Sequence, residues 1–239
     1  MDVWRIYQSL LAKFGPQGWW PVVVTHDSCN ATHRGLRIEN GLTYGIPYSH
    51  LKKHGMPFRD PHFEIAVGAI LTQNTAWRNV APAIQNLYLA KALTPTRLWQ
   101  LHHRTLQSLV RPTGYYRQKA KKLRGFSRWL IDQYQGNIQK LKAIPLPAAR
   151  SQLLRVWGVG KETADSILLY ALDKPIFVVD AYTRRFCSGQ GVEFNEYDEY
   201  RLYFENNLRR LAKQPERLTR IYQEYHALLV AWGKGSRSK

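Results

Sequence analysis

One carboxylate, Asp180, stands where it could be a catalytic group. Glu162 lies in the first turn of a helical segment, and Asp180 follows eighteen residues later. The apolar run Pro175-Ile176-Phe177-Val178-Val179, whose residues Ile176 to Val179 read as a strand, delivers Asp180 to the start of the next helix. A carboxylate carried in on apolar residues, beside a hairpin that can grip a phosphate, could be a catalytic group. The ordinary alternative is a helix N-cap, a position Asp fills well. In both cases the positive end of the helix favours the ionised carboxylate. Glu162 in a first turn suits the same dipole.

Just upstream, Gly158-Val159-Gly160 breaks two helical stretches within residues 148–172. Two glycines at this spacing allow a sharp turn, and the second helix then opens with unpaired amides facing outward. Such a turn can hold a phosphate, with Lys161 adding charge. A Gly-x-Gly corner can also be mere geometry, so the weight rests on Asp180 downstream.

The elements that position these groups are helical. Apolar residues recur at helical spacing in residues 2–14, and Phe63 to Leu71 is apolar enough to be a buried helix opened by Asp60-Pro61. A helix from Thr75 to about Ala90 contains Pro82. Further helices are predicted at 95–101, 103–110, 116–134, 148–157, 161–172, 181–188, 196–212 and 215–232. Trp19-Trp20-Pro21 should be extended. Residues 22–60, with scattered glycines, prolines and histidines, read as a loop-rich insertion. In 116–134 a stripe of Ala120, Leu123, Phe126 and Leu130 is flanked by Arg117, Lys119, Lys121, Lys122, Arg124 and Arg128. That basic face is either solvated or turned to DNA.

Composition limits the partners. The 239 residues carry a formal charge of +18, a footprint of nucleic-acid binding. Hydrophobic residues at 44% argue against disorder. The two cysteines, Cys29 and Cys187, exclude a four-cysteine zinc or iron–sulfur site built by this chain, and free thiols are expected. The eight histidines form no H-E-x-x-H pattern, so no side-chain metal site is expected. No secretory signal or membrane-spanning run is visible. The expectation is a soluble monomer, cytoplasmic and associated with the nucleoid.

The chain resembles the helix-hairpin-helix DNA glycosylase superfamily, in its endonuclease III-related, 3-methyladenine glycosylase-like branch. The resemblance rests on Gly158 to Arg185, on Phe63 to Thr75 (FEIAVGAILTQNT), on Gly114-Tyr115-Tyr116-Arg117-Gln118-Lys119-Ala120 and on Trp19-Trp20-Pro21. It implies a mainly α, two-lobed fold. One lobe would hold residues 1–21 and 145–239, and the other 61–144. It also implies an enzyme that flips a damaged base from double-stranded DNA and breaks its N-glycosidic bond.

The resemblance assigns roles to single residues. Gly158, Val159, Gly160 and Lys161 would grip a DNA phosphate, and hairpin carbonyls would hold a monovalent cation. Gln73, with Asn74 beside it, would fill the gap left by the flipped base. Asp180 would be the catalytic carboxylate. Lyase-competent members carry lysine where Glu162 stands, and a carboxylate cannot form their Schiff base. The chain is therefore expected to hydrolyse the bond and leave an abasic site. Lys161 next door should point about 100° away along the helix. Trp20 and Trp77 would sandwich the base, with Tyr44 and Tyr182 as further candidates, or else fill the core. An alkylated purine such as 3-methyladenine is the expected lesion. The alternatives are oxidised, deaminated or mismatched bases, or a non-catalytic DNA-binding role. The tail Gly233 to Lys239 stands where relatives carry an iron–sulfur loop.

Overall fold

The computed structural model describes residues 1–25, 38–39, 42–47, 61–212 and 214–235; for 23–25, 38–39 and 42–47 it describes the backbone only. Cys29, His26, His33, His50, His54, Asp60, the side chain of Tyr44 and the tail from Ser236 lie outside the described residues.

Helix α1 (Val3–Phe14) begins at Asp2, whose side chain accepts the Arg5 amide at 3.0 Å. An extended stretch through Trp19 and Trp20 leads into β1 (Pro21–Thr25). Within the stretch expected to be loop-rich, most of which lies outside the described residues, three short strands are seen. β1 pairs antiparallel with β3 (Leu42–Pro47), which pairs in turn with β2 (Ile38–Glu39), giving the order β1-β3-β2. The β-branched run Val22-Val23-Val24 favours a strand, but it is too short to stand out among the glycines and prolines that follow.

Helix α2 (His62–Leu71) is buried at every residue and lies at the centre of the molecule. It touches α3 (Trp77–Leu89) and α6 (Tyr116–Tyr134) on one side and α8 (Lys161–Ser166) on the other. Apart from the buried His62 and Glu64 the helix is apolar all round, so it has no face to offer solvent and belongs between layers. Around it, α4 (Pro95–Gln100) and α5 (His103–Leu109) pack on α6. Pro82 sits inside α3 without ending it.

The second half holds α7 (Leu146–Leu154), α8, which continues as a π-helical turn over Ile167–Ala171, then α9 (Ala181–Gly189), α10 (Tyr197–Arg209) and α11 (Pro215–Gly235). α11 packs on α1, α9 and the π-helical turn. The Tyr225 hydroxyl donates to the Val3 carbonyl at 2.9 Å, tying the two ends of the chain together.

The strand expected at Ile176 to Val179 is corrected. The segment is extended and fully buried but joins no sheet. Side chains take the place of a neighbouring strand: the Phe177 amide donates to Glu205 Oε1 at 3.0 Å and the Val179 amide to the Tyr197 hydroxyl at 3.3 Å. Glu205 is itself buried and answered by Arg201 and Arg209, each at 3.0 Å. Buried backbone donors need partners, and these side chains supply them.

Candidate active site and hairpin

Asp180 arrives at the end of this buried segment and caps α9. Its Oδ1 accepts the Thr183 amide at 2.7 Å and the Thr183 hydroxyl at 3.0 Å. Its Oδ2 stands 3.5 Å from His226 Nε2 on α11. Burial works against the charge, yet His226 and the two Thr183 donors outweigh it and hold the carboxyl below the ordinary aspartate value. The N-cap and the charged-group readings of Asp180 therefore coexist in one geometry.

Glu162 has the opposite balance. Burial and the neighbouring Asp180 charge push its carboxyl up to about 7, against the smaller opposing influence of His226 and Arg184. Near neutrality one carboxyl is ionised and its neighbour holds a proton for much of the time, a division that suits acid–base work. Lys161 turns elsewhere: its ammonium lies 2.7 Å from Asp198 Oδ2 on α10. Asp198 also meets Arg150 and Arg201, and Arg150 clamps the buried Asp165 of α8 at 2.7 and 3.1 Å. This network fastens the hairpin helix to α10, with Lys161 part of it.

In the hairpin, Gly158 takes φ +82°, which glycine tolerates and other residues rarely adopt. A Cβ there would lie 2.5 Å from the Lys122 side chain, so the position also needs its missing atom. Val159 is buried, and its amide donates to the Val156 carbonyl at 3.0 Å. Its N–H is spent inside the turn, which corrects the expectation that it faces a phosphate. Among the described residues the Gly158, Gly160 and Lys161 amides have no backbone acceptor.

Gln73 and Asn74 follow α2, and the structure brings Gln73 to the hairpin. Its amide donates to the Gly158 carbonyl at 3.0 Å and to the Thr163 hydroxyl at 2.9 Å, and its oxygen accepts from Lys122. Asn74 is exposed, with φ +52°.

The aromatic candidates cluster differently from a sandwich. Trp20 and Trp77 meet edge-to-face, 5.5 Å apart at 89°, and leave no gap for a base between them. Trp20 is buried, and Trp19, which the sequence reading left out of the pocket, touches both rings. Trp20 also packs on Tyr170, 5.2 Å away, which reaches His226. Tyr182 lies over Gly233. An open hollow of about 520 Å³ near Trp19 is lined also by Tyr7, Arg217, Arg220 and Glu224, and Asp180 is not part of it.

The basic helix α6 is largely occupied by its own protein. Lys119 is buried, donates to the Thr113 carbonyl at 2.7 Å and is lowered to about 8 by burial and the nearby Lys122. Lys121 sits over the exposed Trp157 ring, Arg124 over Trp99, and Arg128 pairs with Asp132. The residues that sequence reasoning missed are His226, Tyr170 and Thr183; Lys122 was read only as part of a basic face and Trp19 only as part of the Trp-Trp-Pro run. No helix among the described residues is long and apolar enough to cross a membrane, and no group of side chains among them could hold a metal ion.

A family model described as HhH-GPD superfamily base excision DNA repair protein matches residues 67–210. A provisionally named DNA repair glycosylase of Methanocaldococcus jannaschii is 38% identical over 232 residues, covering 95% of this chain and 85% of that one. Endonuclease III of Thermotoga maritima is 30% identical over 132 residues, 55% of this chain and 57% of that one. The crystal structure of an H. pylori 3-methyladenine DNA glycosylase bound to 1,N6-ethenoadenine superposes with a TM-score of 0.73, at 27% identity and 99% coverage of both chains. An endonuclease III–DNA covalent intermediate shares the fold, with a TM-score of 0.58 at 19% identity, 94% coverage of this chain and 84% of that one. The mainly helical architecture, the hairpin and these matches together show that the chain belongs to the HhH-GPD superfamily of base excision DNA repair glycosylases.

Proposed function

We propose that the chain is a monofunctional DNA glycosylase that flips a damaged base out of double-stranded DNA and hydrolyses its N-glycosidic bond, with an alkylated purine such as 3-methyladenine as the lesion. The observation that carries this reading is the pairing of an ionised, doubly anchored Asp180 with Glu162 at the position of the relatives' lysine. As the C1′–N bond breaks, its electrons leave with the base and the sugar becomes positive. The Asp180 charge lowers the energy of that cation. Water then adds to C1′, and its proton passes to a carboxylate or solvent. Glu162 has no amine, so no Schiff base forms and the strand stays intact. Alkylated purines are electron-poor, and the ring cluster of Trp19, Trp20 and Trp77 offers aromatic faces and edges close to the site.

Gly158 and Gly160 are the proposed phosphate seat. The Val156 and Gly158 carbonyls each accept one hydrogen bond and keep a second lone pair, so they fit a monovalent cation that would help orient the phosphate. Two lobes around the buried α2, acting as a monomer on nucleoid DNA in the cytoplasm, complete the proposal.

The test is release of bases from methylated duplex DNA, resolved by chromatography, with strand nicking and borohydride trapping measured in parallel. Release of 3-methyladenine without trapping, lost in Asp180→Asn, is the expected result. Trapping by the wild type would overturn the monofunctional reading. No release from this DNA would overturn the alkyl-base assignment and redirect the search to oxidised, deaminated and mismatched bases. Duplex binding without activity on any lesion would leave a non-catalytic DNA-binding protein.

A further inference from the structure

The carboxylate of Asp180 is held from two sides. Thr183 on its own helix grips Oδ1, while Oδ2 faces an imidazole that comes from α11, forty-six residues further along the chain. His226 is buried, with only 6% of its surface exposed, and both of its ring nitrogens are engaged. Nε2 faces Asp180 at 3.5 Å and Nδ1 lies 2.7 Å from the Tyr170 hydroxyl.

Tyr170 is buried too, and its hydroxyl donates to the Gln223 carbonyl at 3.0 Å, one turn before His226 on α11. A phenol has a single proton. With that proton on the Gln223 carbonyl, the Tyr170 oxygen is free to accept from Nδ1–H. A ring protonated on both nitrogens then donates to Tyr170 and turns Nε2–H toward Asp180, 3.5 Å away. If Tyr170 turns its proton to Nδ1 instead, a neutral ring still presents Nε2–H to Asp180. Both arrangements aim a donor at the carboxylate.

We infer that His226, oriented by Tyr170, is a positioning residue that keeps Asp180 ionised and fixed in direction for the glycosidic step. The inference rests on the reading of Asp180 as the carboxylate that stabilises the sugar cation. The groups around the ring are few. Asp180 faces it from α9, Tyr170 from the π-helical turn, and Glu162 feels its charge from α8. Arg184 acts on Glu162 and Glu224 on Tyr170. Burial alone would favour a protonated Asp180, and His226 heads the influences that oppose it. Tyr170 also packs on Trp20, so a change in the aromatic cluster can reach the carboxylate through this relay.

The experiment follows the titration of Asp180 directly and so does not depend on knowing the lesion. Protein labelled with carbon-13 at aspartate carboxyls is titrated by NMR, with Asp180→Asn identifying the resonance. In His226→Phe the Asp180 midpoint should rise, since the group opposing its burial is gone. Tyr170→Phe should move it the same way by less. Single-turnover base release is measured across pH 5–9 on the same proteins. His226→Phe should slow release by about 10-fold or more, below the ~10²–10³-fold typical of removing a donor that touches the reacting atoms. Its acid limb should shift to higher pH, and DNA affinity should stay unchanged. His226→Gln, which keeps a donor, should recover most of the rate at neutral pH. Unchanged Asp180 midpoints in His226→Ala and Tyr170→Phe would overturn the inference, even if His226→Phe failed to fold. An inactive Asp180→Asn beside a His226→Phe of wild-type rate and acid limb would also overturn it. An active Asp180→Asn would instead remove the reading of Asp180 on which it rests.

Discussion

The amide of Gln73 donates to the carbonyl of Gly158 across 85 positions of sequence, at 3.0 Å. The same side chain binds Thr163 on α8 and accepts from Lys122 on α6. One residue therefore joins the loop after the central helix, the basic helix and the hairpin. The side chain that the resemblance assigns to the DNA gap is, in this structure, one of the ties that hold the hairpin to the rest of the protein.

Gln73→Ala should lose all three contacts at once. Hydrogen bonds of this kind contribute about 1 kcal/mol each, and part-exposed partners recover some of that from water. A loss of about 1–2 kcal/mol is expected, seen as a drop of about 2–6 °C in thermal melting. Affinity for duplex containing an abasic-site analogue should fall more than affinity for intact duplex. Equal loss on both duplexes would mean that Gln73 serves only as the tie.

Asp180→Asn should retain the fold, since Asn caps helices as well as Asp does. It should lose base release by about 10²–10³-fold while still binding DNA. Glu162→Lys should gain what the wild type lacks, a covalent adduct with DNA trapped by borohydride. Absence of the adduct would show that residue 162 does not reach C1′.

Glu162 also predicts a pH dependence of stability. Its carboxyl rises from 4.5 to about 7 on folding, so between these values the native state binds more protons than the unfolded state. Stability from this group is full below about pH 4.5 and is lost as pH rises through 7. Glu162→Gln removes that loss. The variant should match the wild type in thermal melting near pH 5 and exceed it at pH 8. An equal difference at both pH values would contradict the assignment.

Two glycines test the aromatic packing. A Cβ at Gly68 would meet Trp20 Nε1 at 3.0 Å, and one at Gly233 would meet the Tyr182 ring at 2.1 Å. Gly68→Ala asks the indole to shift by a few tenths of an ångström, and its gain in helix propensity of about 1 kcal/mol should offset much of the strain. Gly233→Ala cannot be absorbed so easily, and Tyr182 must change rotamer. We expect melting close to wild type for Gly68→Ala and a fall of at least 2 °C for Gly233→Ala. The reverse order would mean that the indole is the more rigidly held ring.

Local pattern determined most of the helices. The apolar run of α2, the stripe of α6 and the Gly-Val-Gly turn are carried by neighbours in sequence, and physics at that range is readable from residue type and spacing. The hairpin and Asp180 were legible for the same reason. The sequence by itself also determined that Glu162, and no amine, occupies its position. What only the tertiary structure decided concerns partners distant in the chain. Ile176 to Val179 looked like a strand because apolar β-branched residues favour extended backbone, but sheet membership depends on a neighbour, and here Glu205 and Tyr197 took that place. That Lys161 pairs with Asp198, thirty-seven residues away, was set by the packing of α10 against the hairpin. The amide of Val159 looked available until the turn closed on Val156. His226 carried no local mark, because its importance comes from α11 crossing the start of α9. Burial and the neighbours it brings set whether Asp180 and Glu162 hold protons, and those are properties of the folded chain alone.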